Sequence, residues 1–357
     1  MAPGAIREFQ ISSSAMALSA VHRSCFPSTP LESVPSESSQ IEPLLVKSDD
    51  NVSLFPIRYP DLYALYKKAT ASFWRVEEVD LQDDIAQFSN LTEGEQHFIK
   101  MVLAFFNFSD IIVIESVVQR IFEDVQIPEA RLFLSFQVAI ESVHSEMYSM
   151  FIDSLVTESD EKLRLFHGLE HFPFLRKKAT WARRFIGDDV DFGKRTVGFI
   201  IVEGLFFSAS FAAIFYLKKR GICKGLAFAN KLISADEALH TEFGATLLRH
   251  VRNKPSPAWI RDTVRAAVEV EEEFVTGSLP LKLIGMNSDL MVQYVQFVAD
   301  YLLDMMGCDK FYNVSNPFDF MAMQGMLDKA NFFETKAVYR LPQPTVTDRV
   351  FTMDEDF

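Results

Sequence analysis

The chain has 357 residues, enough to bury a large core in one big domain or two. It carries 35 Lys and Arg against 49 Asp and Glu, a formal net charge of −14, and no basic cluster that could neutralise a phosphate backbone. Composition therefore argues against nucleic acid as a direct partner.

Residues 1–45 differ in composition from the rest of the chain. They are low in aromatic side chains, and the stretch SCFPSTPLESVPSESSQIEP is rich in Ser and Pro. This predicts a disordered N-terminal arm. A transit peptide is the alternative, favoured by Arg7 and Arg23, but Glu8 and the lack of a sustained basic amphipathic pattern argue against it.

Helical periodicity dominates from Leu54 onward, while strand-like alternation is scarce, so the fold is predicted to be all-α. The predicted helices cover residues 58–74, 92–123, 129–156, 159–169, 173–184, 190–218, 222–252, 256–283 and 286–306. The body is predicted to span residues 46–338. Residues 339–357 contain two prolines and no periodic apolar face, which predicts a flexible tail.

One predicted helix, GFIIVEGLFFSASFAAIFYL at 198–217, is long enough to cross a bilayer on length alone. It contains Glu203, however, and the other long segments are too charged to form companion spans. A buried helix of a large bundle is the better interpretation, with no membrane partner.

The three cysteines, Cys25, Cys223 and Cys308, are far apart and form no CxxC pair. The sequence therefore indicates neither a disulfide framework nor a thiolate zinc site. A reducing compartment fits this pattern, and we predict a cytoplasmic protein.

Three titratable residues share an apolar helix face in SFQVAIESVHSEMYSMFIDSL, residues 135–155. At about 100° per residue, His144 and Tyr148 lie within about 60° of Glu141 on the helix surface. Unpaired buried charges are costly, so this cluster requires partners from elsewhere in the chain.

Other long helices supply such partners. Asp110 and Glu203 each lie on an apolar face, and Glu237-x-x-His240 repeats the spacing of Glu141-x-x-His144. The order is duplicated, since Asp110 precedes the first Glu-x-x-His by 31 residues and Glu203 precedes the second by 34. This arrangement is typical of helical-bundle proteins that hold two iron or manganese ions with carboxylates.

The spacing has a physical reason, because residues i and i+3 lie one turn apart on one helix face. A carboxylate there can bridge two metals while its histidine binds one of them. Four carboxylates balance two divalent cations, and oxygen and imidazole ligands without thiolate favour iron or manganese over structural zinc. The alternative is a buried salt-bridged network, but the six inward positions include no Lys or Arg.

With Tyr148 one turn beyond His144, the chain resembles the small subunit of class I ribonucleotide reductase, of the eukaryotic type. The resemblance covers about residues 55–357. Its motifs are YKKATASFWRVEEVDL, ESVHSEMYSMFID, VEGLFFSASFA, LKKRGI, LISADEALH, LPLKLIGMN, NPFDFM and FTMDEDF.

The resemblance implies a ferritin-like bundle, usually homodimeric, with two iron ions per chain; manganese is the alternative metal. Asp110, Glu141 and His144 would bind one iron, and Glu203, Glu237 and His240 the other. The reduced site would react with O2 and oxidise Tyr148 to a stored radical. Phe207, Phe211 and Ile233 would line the radical pocket, although as ordinary core residues they would look the same.

The resemblance also implies a separate large subunit that reduces ribonucleoside diphosphates. The radical would travel through Trp74, Asp236, His144 and Tyr339, and the tail Phe351–Phe357 would dock on that partner. Without the resemblance, Trp74 reads as a buried anchor. The family more often has Arg at the position of Ala235, and this departure concerns the efficiency of radical transfer rather than metal binding.

Two other functions are compatible with the same fold, and each conflicts with a feature of the sequence. A different di-metal oxidase on the same bundle would give no role to Trp74 or the tail. A paralogue that only pairs with an active small subunit should have lost metal ligands or Tyr148, and this chain retains them.

Overall fold

The computed structural model describes residues 41–112, 118–278 and 286–321. Within these ranges the chain forms helices and no β-strand, so the all-α prediction is confirmed. The first α-helices are α1 (Pro60–Ala71), α2 (Gln82–Phe88), α3 (Glu93–Ile112), α4 (Gln119–Asp124), α5 (Pro128–Leu155), α6 (Ser159–Phe166) and α7 (Gly168–His171). They are followed by α8 (Pro173–Arg183), α9 (Phe192–Leu205), α10 (Ser208–Lys219), α11 (Lys224–His250), α12 (Pro257–Glu273), a π-helix (Phe274–Ser278) and α13 (Ser288–Met305).

Local sequence explains where several helices begin. Proline occupies the first turn of α1, α5, α8 and α12, where its missing amide hydrogen costs no helical hydrogen bond. Asp191 caps α9 by accepting from the amide of Lys194, and Ser256 caps α12 by accepting from that of Trp259. These caps satisfy amides that have no partner inside the helix.

The long helices pack side by side around the core. α5 packs against α1 and α3, and α11 packs against α1, α9 and α10. Gly244 allows α9 and α11 to approach closely, because a Cβ there would lie 2.7 Å from the ring of Phe199 and 2.8 Å from Ile200. This contact fixes the two helices that carry Glu203, Glu237 and His240.

Several predicted helices are divided in the structure. Segment 92–123 contains α3 and α4, with residues 113–117 outside the described part, and segment 159–169 contains α6 and α7. Segment 256–283 is α12 followed by the π-helix. The short helix α2 was not predicted, because seven residues give too few turns for a clear periodicity.

Segment 190–218 is broken at Phe206 and Phe207, between α9 and α10. Residues Phe192–Lys219 are the one stretch, in the part of the chain that is described, with the length and apolarity of a membrane span. Its most apolar window is 94% buried inside the protein. The prediction of a buried core helix rather than a membrane span is confirmed.

The N-terminal boundary differs from the prediction of an arm over residues 1–45. Pro43–Leu45 form a 3-10 turn, Leu44 is fully buried, and its carbonyl accepts from the amide of Gln126 at 2.8 Å. Burial of Leu44 and the hydrogen bonds from the amides of Arg252 and Asn253 to Glu42 dock this segment. Residues 1–40 and the predicted boundary at 338/339 lie outside the described residues.

Candidate metal centre

Helices α5, α9 and α11 bring four acidic and imidazole side chains to one point in the core. Ligand atoms of Glu141, Glu203, Glu237 and His240 all lie within 4.8 Å of one another. All four residues are at most 3% exposed. The duplicated Glu-x-x-His spacing therefore corresponds to a single buried cluster.

Each histidine lies between carboxylates of different helices. His144 Nδ1 lies 3.2 Å from Glu141 Oε2 and 3.3 Å from Glu237 Oε1. His240 Nδ1 lies 3.0 Å from Glu141 Oε1 and 3.3 Å from Glu237 Oε2, with Glu203 Oε2 at 3.8 Å. Both imidazoles thus direct Nδ1 into the space shared by the three glutamates.

Three carboxylate oxygens in this space accept no hydrogen bond: Glu141 Oε1, Glu203 Oε2 and Glu237 Oε1. They are buried, and the nearby imidazoles pair with other oxygens: His144 Nδ1 with Glu141 Oε2 and His240 Nδ1 with Glu237 Oε2. Orphaned buried acceptors are costly unless a cation or donor compensates them. The residues present therefore fit a cation bound among these oxygens and the two Nδ1 atoms.

The electrostatics of the cluster agree with this reading. Burial, together with the charges of Glu237 and Glu141, raises the pKa of Glu203 well above its ordinary value. Burial acts in the same direction on Glu237, but the neighbouring His240 and His144 lower its pKa. Burial would lower the pKa of each histidine, yet the surrounding carboxylates raise both. The acids outnumber the bases, so a bound cation would relieve their repulsion.

A hydrogen bond fixes the orientation of His144. Its Nε2 lies 3.0 Å from Oδ2 of Asp236, a carboxylate that can only accept when ionised. In the neutral imidazole the proton then resides on Nε2, and the Nδ1 lone pair faces the glutamates. This is the tautomer that a metal-binding histidine needs.

Gln137 is a site residue that the sequence reading missed. It is fully buried, and its Nε2 donates to Glu203 Oε1 at 2.8 Å. It lies one turn before Glu141, about 40° away on the same helix face. A polar side chain on that apolar face was the signal that would have identified it.

Tyr148 lies one turn beyond His144 and is 2% exposed. Its ring stacks on Phe106 of α3, with centroids 4.7 Å apart and planes at 10°. Phe106 in turn stacks on Phe211 at 5.3 Å and on Phe207 at 6.3 Å. Two of the predicted pocket residues therefore reach Tyr148 through Phe106. The third, Ile233 of α11, is buried at 1% exposure.

Trp74 lies against the outer side of His144. Its Nε1 donates to Asp236 Oδ2 at 2.8 Å, and its ring stacks on that of His144 with centroids 5.9 Å apart. Trp74 is 3% exposed. The structure thus brings together the three residues predicted for the relay within the chain.

Some predicted residues are not described at this level. Asp110 lies in α3, but its side chain is outside the described part of the structure. Tyr339 and the tail Phe351–Phe357 also lie outside the described residues. Their roles stay predictions.

Fold and site together define a helical di-metal carboxylate protein, and comparison with known proteins narrows the class. Residues 51–317 match the family model described as "Ribonucleotide reductase, small chain". The chain is 50% identical over 321 residues to the zebrafish (Danio rerio) ribonucleoside-diphosphate reductase subunit M2, covering 88% of this chain and 83% of the relative. It is 49% identical over 324 residues to the tobacco (Nicotiana tabacum) ribonucleoside-diphosphate reductase small chain, covering 88% and 98%.

A solved structure agrees with this assignment. The ribonucleotide reductase Rnr4 homodimer from Saccharomyces cerevisiae matches with a TM-score of 0.74 and 36% identity, covering 83% of this chain and 92% of that one. The chain belongs to the ribonucleotide reductase small-chain family. Its function is that of a small subunit, which acts with a large subunit to reduce ribonucleoside diphosphates for DNA synthesis.

Proposed function

We propose that this small subunit stores its radical on Tyr148 and that two iron ions generate it. The observation that carries the proposal is the position of Tyr148, one helical turn from His144, buried, and stacked on Phe106 at 4.7 Å. A phenoxyl radical survives only where solvent and reductants are excluded. No other function is favoured by a specific observation.

The proposed ligand set is the six-residue set named from the sequence: Asp110, Glu141 and His144 for one iron, and Glu203, Glu237 and His240 for the other. The orphaned oxygens of Glu141, Glu203 and Glu237 support it. When bound, iron would supply electrons to O2 and so create the oxidant for Tyr148. Oxygen and imidazole ligands also suit manganese, which is the alternative metal.

Tyr148 would give up one electron and its phenolic proton towards this site. Phe106 of α3 covers one face of the tyrosine ring, and Phe207 and Phe211 stack on Phe106. Ile233 is proposed to complete the pocket from α11. The apolar rings offer no proton donor to the radical. The radical would therefore persist until it is transferred to the large subunit.

Radical export is proposed to use Trp74, Asp236 and His144. Asp236 Oδ2 lies within hydrogen-bond distance of both Trp74 Nε1 and His144 Nε2, so it can hold or pass a proton between the two rings. Tyr339 would continue the route in the tail. Ala235 has no side chain that could take part in proton movement beside Asp236.

The proposed partners follow from the family and the sequence. The yeast relative was solved as a homodimer, which supports a homodimer for this chain. The aromatic and acidic tail Phe351–Phe357 is proposed to dock on the large subunit. Cys223 and Cys308 are free and buried, which fits the proposed cytoplasmic location.

The test is turnover in the reconstituted enzyme. The full chain is loaded with Fe(II) in the presence of O2, its metal content is measured, and reduction of a ribonucleoside diphosphate is assayed with the large subunit. We expect two iron ions per chain in wild type and in Tyr148→Phe, and turnover only in wild type. Wild-type turnover by Tyr148→Phe would overturn the assignment. Metal binding without turnover in wild type would favour a non-catalytic paralogue.

A further inference from the structure

A buried ion pair lies outside the metal centre, between α8 and α12. Lys178 Nζ lies 2.6 Å from Glu271 Oε2, and both side chains are at most 5% exposed. Burying such a pair rarely stabilises a protein more than apolar side chains of the same size would. Its presence in the core therefore calls for a role other than stability.

The ammonium group has a second partner at a helix end. Lys178 Nζ donates to the backbone carbonyl of Phe206 at 2.8 Å. Phe206 follows the last residue of α9 and begins the two-residue break before α10. Carbonyls at a helix end have no amide partner within the helix, and a lysine can bind them. Lys178 thus fixes the peptide at the break.

The break leads directly to the aromatic stack on Tyr148. Phe207, the next residue, stacks on Phe106 with planes at 10° and lies 5.7 Å from Phe105. The ammonium of Lys178 also lies 4.0 Å from the ring centroid of Phe105. One cation therefore contacts both the residue before Phe207 and the ring beside Phe106.

The last turn of α12 and the π-helix complete this arrangement. Lys178 Nζ lies 3.8 Å from the ring centroid of Phe274, the first residue of the π-helix, and Phe274 packs on Phe105 at 5.2 Å. When ionised, Glu271 supplies the countercharge that a dry ammonium requires. The ammonium thus contacts the rings of Phe105 and Phe274, and Phe105 lies 5.6 Å from Phe106, the ring that stacks on Tyr148.

We propose that Lys178, held by Glu271, is a positioning residue that fixes the α9–α10 break and so keeps Phe207 closed over the pocket of Tyr148. Lys178 contacts Glu271, Phe206, Phe105 and Phe274, and it is not one of the proposed metal ligands. The inference rests on the proposed role of Tyr148. Burial lowers the pKa of Lys178 to about 8 despite the attraction of Glu271, so the ammonium is still charged at neutral pH.

The test compares two double variants on the same pair of helices. Lys178→Met/Glu271→Leu removes the buried pair together with the donor to Phe206. Lys177→Met/Glu273→Leu removes the neighbouring exposed ion pair and serves as the matched control. Each full chain is loaded with iron and O2, and decay of the tyrosyl EPR signal is followed with and without hydroxyurea, a small radical scavenger.

We expect the buried-pair variant to bind the same metal and to lose its radical about tenfold faster, because one charged hydrogen bond no longer closes the break. The control should decay at the wild-type rate. Glu271→Gln keeps Lys178 but removes the countercharge that holds the ammonium, so this variant should shorten the lifetime as well. Equal decay in wild type and the buried-pair variant would overturn the proposal.

A second measurement does not depend on the radical. Hydrogen exchange over residues 206–211 is compared in the metal-free proteins, and we expect faster exchange in Lys178→Met/Glu271→Leu than in Lys177→Met/Glu273→Leu. Unchanged exchange would contradict the proposal even if the radical decayed faster. If the variants show this exchange difference but the wild-type protein forms no radical, the result would count against the role of Tyr148 and not against the role of Lys178.

Discussion

The indole nitrogen of Trp74 donates a 2.8 Å hydrogen bond to Oδ2 of Asp236, a residue 162 positions further along the chain. The same oxygen lies 3.0 Å from Nε2 of His144, which faces the metal centre with its other nitrogen. Phe73, the neighbour of Trp74, is 49% exposed. A continuous set of contacts therefore extends from the glutamate cluster to within one residue of the surface.

This contact predicts that Trp74→Phe separates radical storage from radical export. The tyrosyl EPR signal should form at the wild-type yield, since no ligand is changed. Turnover with the large subunit should fall by at least about 100-fold, because the ring no longer binds Asp236 and is harder to oxidise. Trp259→Phe, at a half-buried tryptophan of α12, is the control and should stay active. Normal turnover in Trp74→Phe would show that Trp74 only packs in the core and does not transfer the radical.

Gln137→Leu should weaken the metal centre. Without its donor, Glu203 is free to turn, and loss of a residue that orients a ligand typically costs about 10–100-fold in metal affinity. Iron titration of the metal-free chain measures the change. Gln96→Leu removes a helix glutamine that donates to the carbonyls of Phe88 and Leu91, so it should leave iron affinity unchanged. If Gln137→Leu and Gln96→Leu bind iron with equal affinity, Gln137 does not support the metal centre.

The cluster of glutamates and histidines could be predicted from the sequence because the pattern that marks it is local. Each Glu-x-x-His pair is set by one helical turn, and long apolar helices carry the pairs inward. Gln137 was missed although it shares their face, since a single amide has no repeated spacing to mark it. Its bond to Glu203 on α9 is visible only once α5 and α9 are packed.

The break between α9 and α10 could not be predicted from sequence. Phe206 and Phe207 are apolar, they lie within a continuous apolar run, and their backbone angles remain near helical values. The break is stabilised by Lys178, which comes from α8, nearly 30 residues earlier in the chain. Periodicity reports which face of a helix is buried, but it does not report a tertiary contact that ends the helix.

The Lys178–Glu271 pair predicts a pH dependence of stability. Burial raises the pKa of Glu271 from 4.5 to about 7, so between these values the folded chain holds a proton that the unfolded chain has released. The contribution of this residue to unfolding free energy is therefore present below about pH 4.5 and is lost as pH rises towards 7. Relative to Lys178→Met/Glu271→Leu, metal-free wild type should lose thermal stability between pH 5 and 7. If the Tm of wild type relative to that of the double variant stays constant or increases between pH 5 and 7, the predicted direction of the pH dependence is wrong.

The tail predicts competitive inhibition by a free peptide. Burying Phe351 and Phe357 in partner pockets would contribute about 1.5–3 kcal/mol each, offset by the cost of ordering the segment. The FTMDEDF peptide should compete with the small subunit for the large one without altering the EPR signal, and a peptide with both Phe replaced by Ala should not. Deleting residues 351–357 should abolish turnover but keep the radical. A truncated chain with normal turnover would show that the tail is only a solvated end.

The most direct test of the central claim is low-temperature EPR of the full chain after Fe(II) and O2 are added, with tyrosine either unlabelled or deuterated at Cβ. Deuterium couples more weakly than hydrogen, so a tyrosyl signal must narrow on labelling. We predict a signal that narrows in wild type, persists in the control Tyr294→Phe at another buried tyrosine, and is absent in Tyr148→Phe although that variant still binds two metals. A narrowing signal that remains in Tyr148→Phe, or a fully metallated wild type without any signal, would contradict the assignment of the radical to Tyr148.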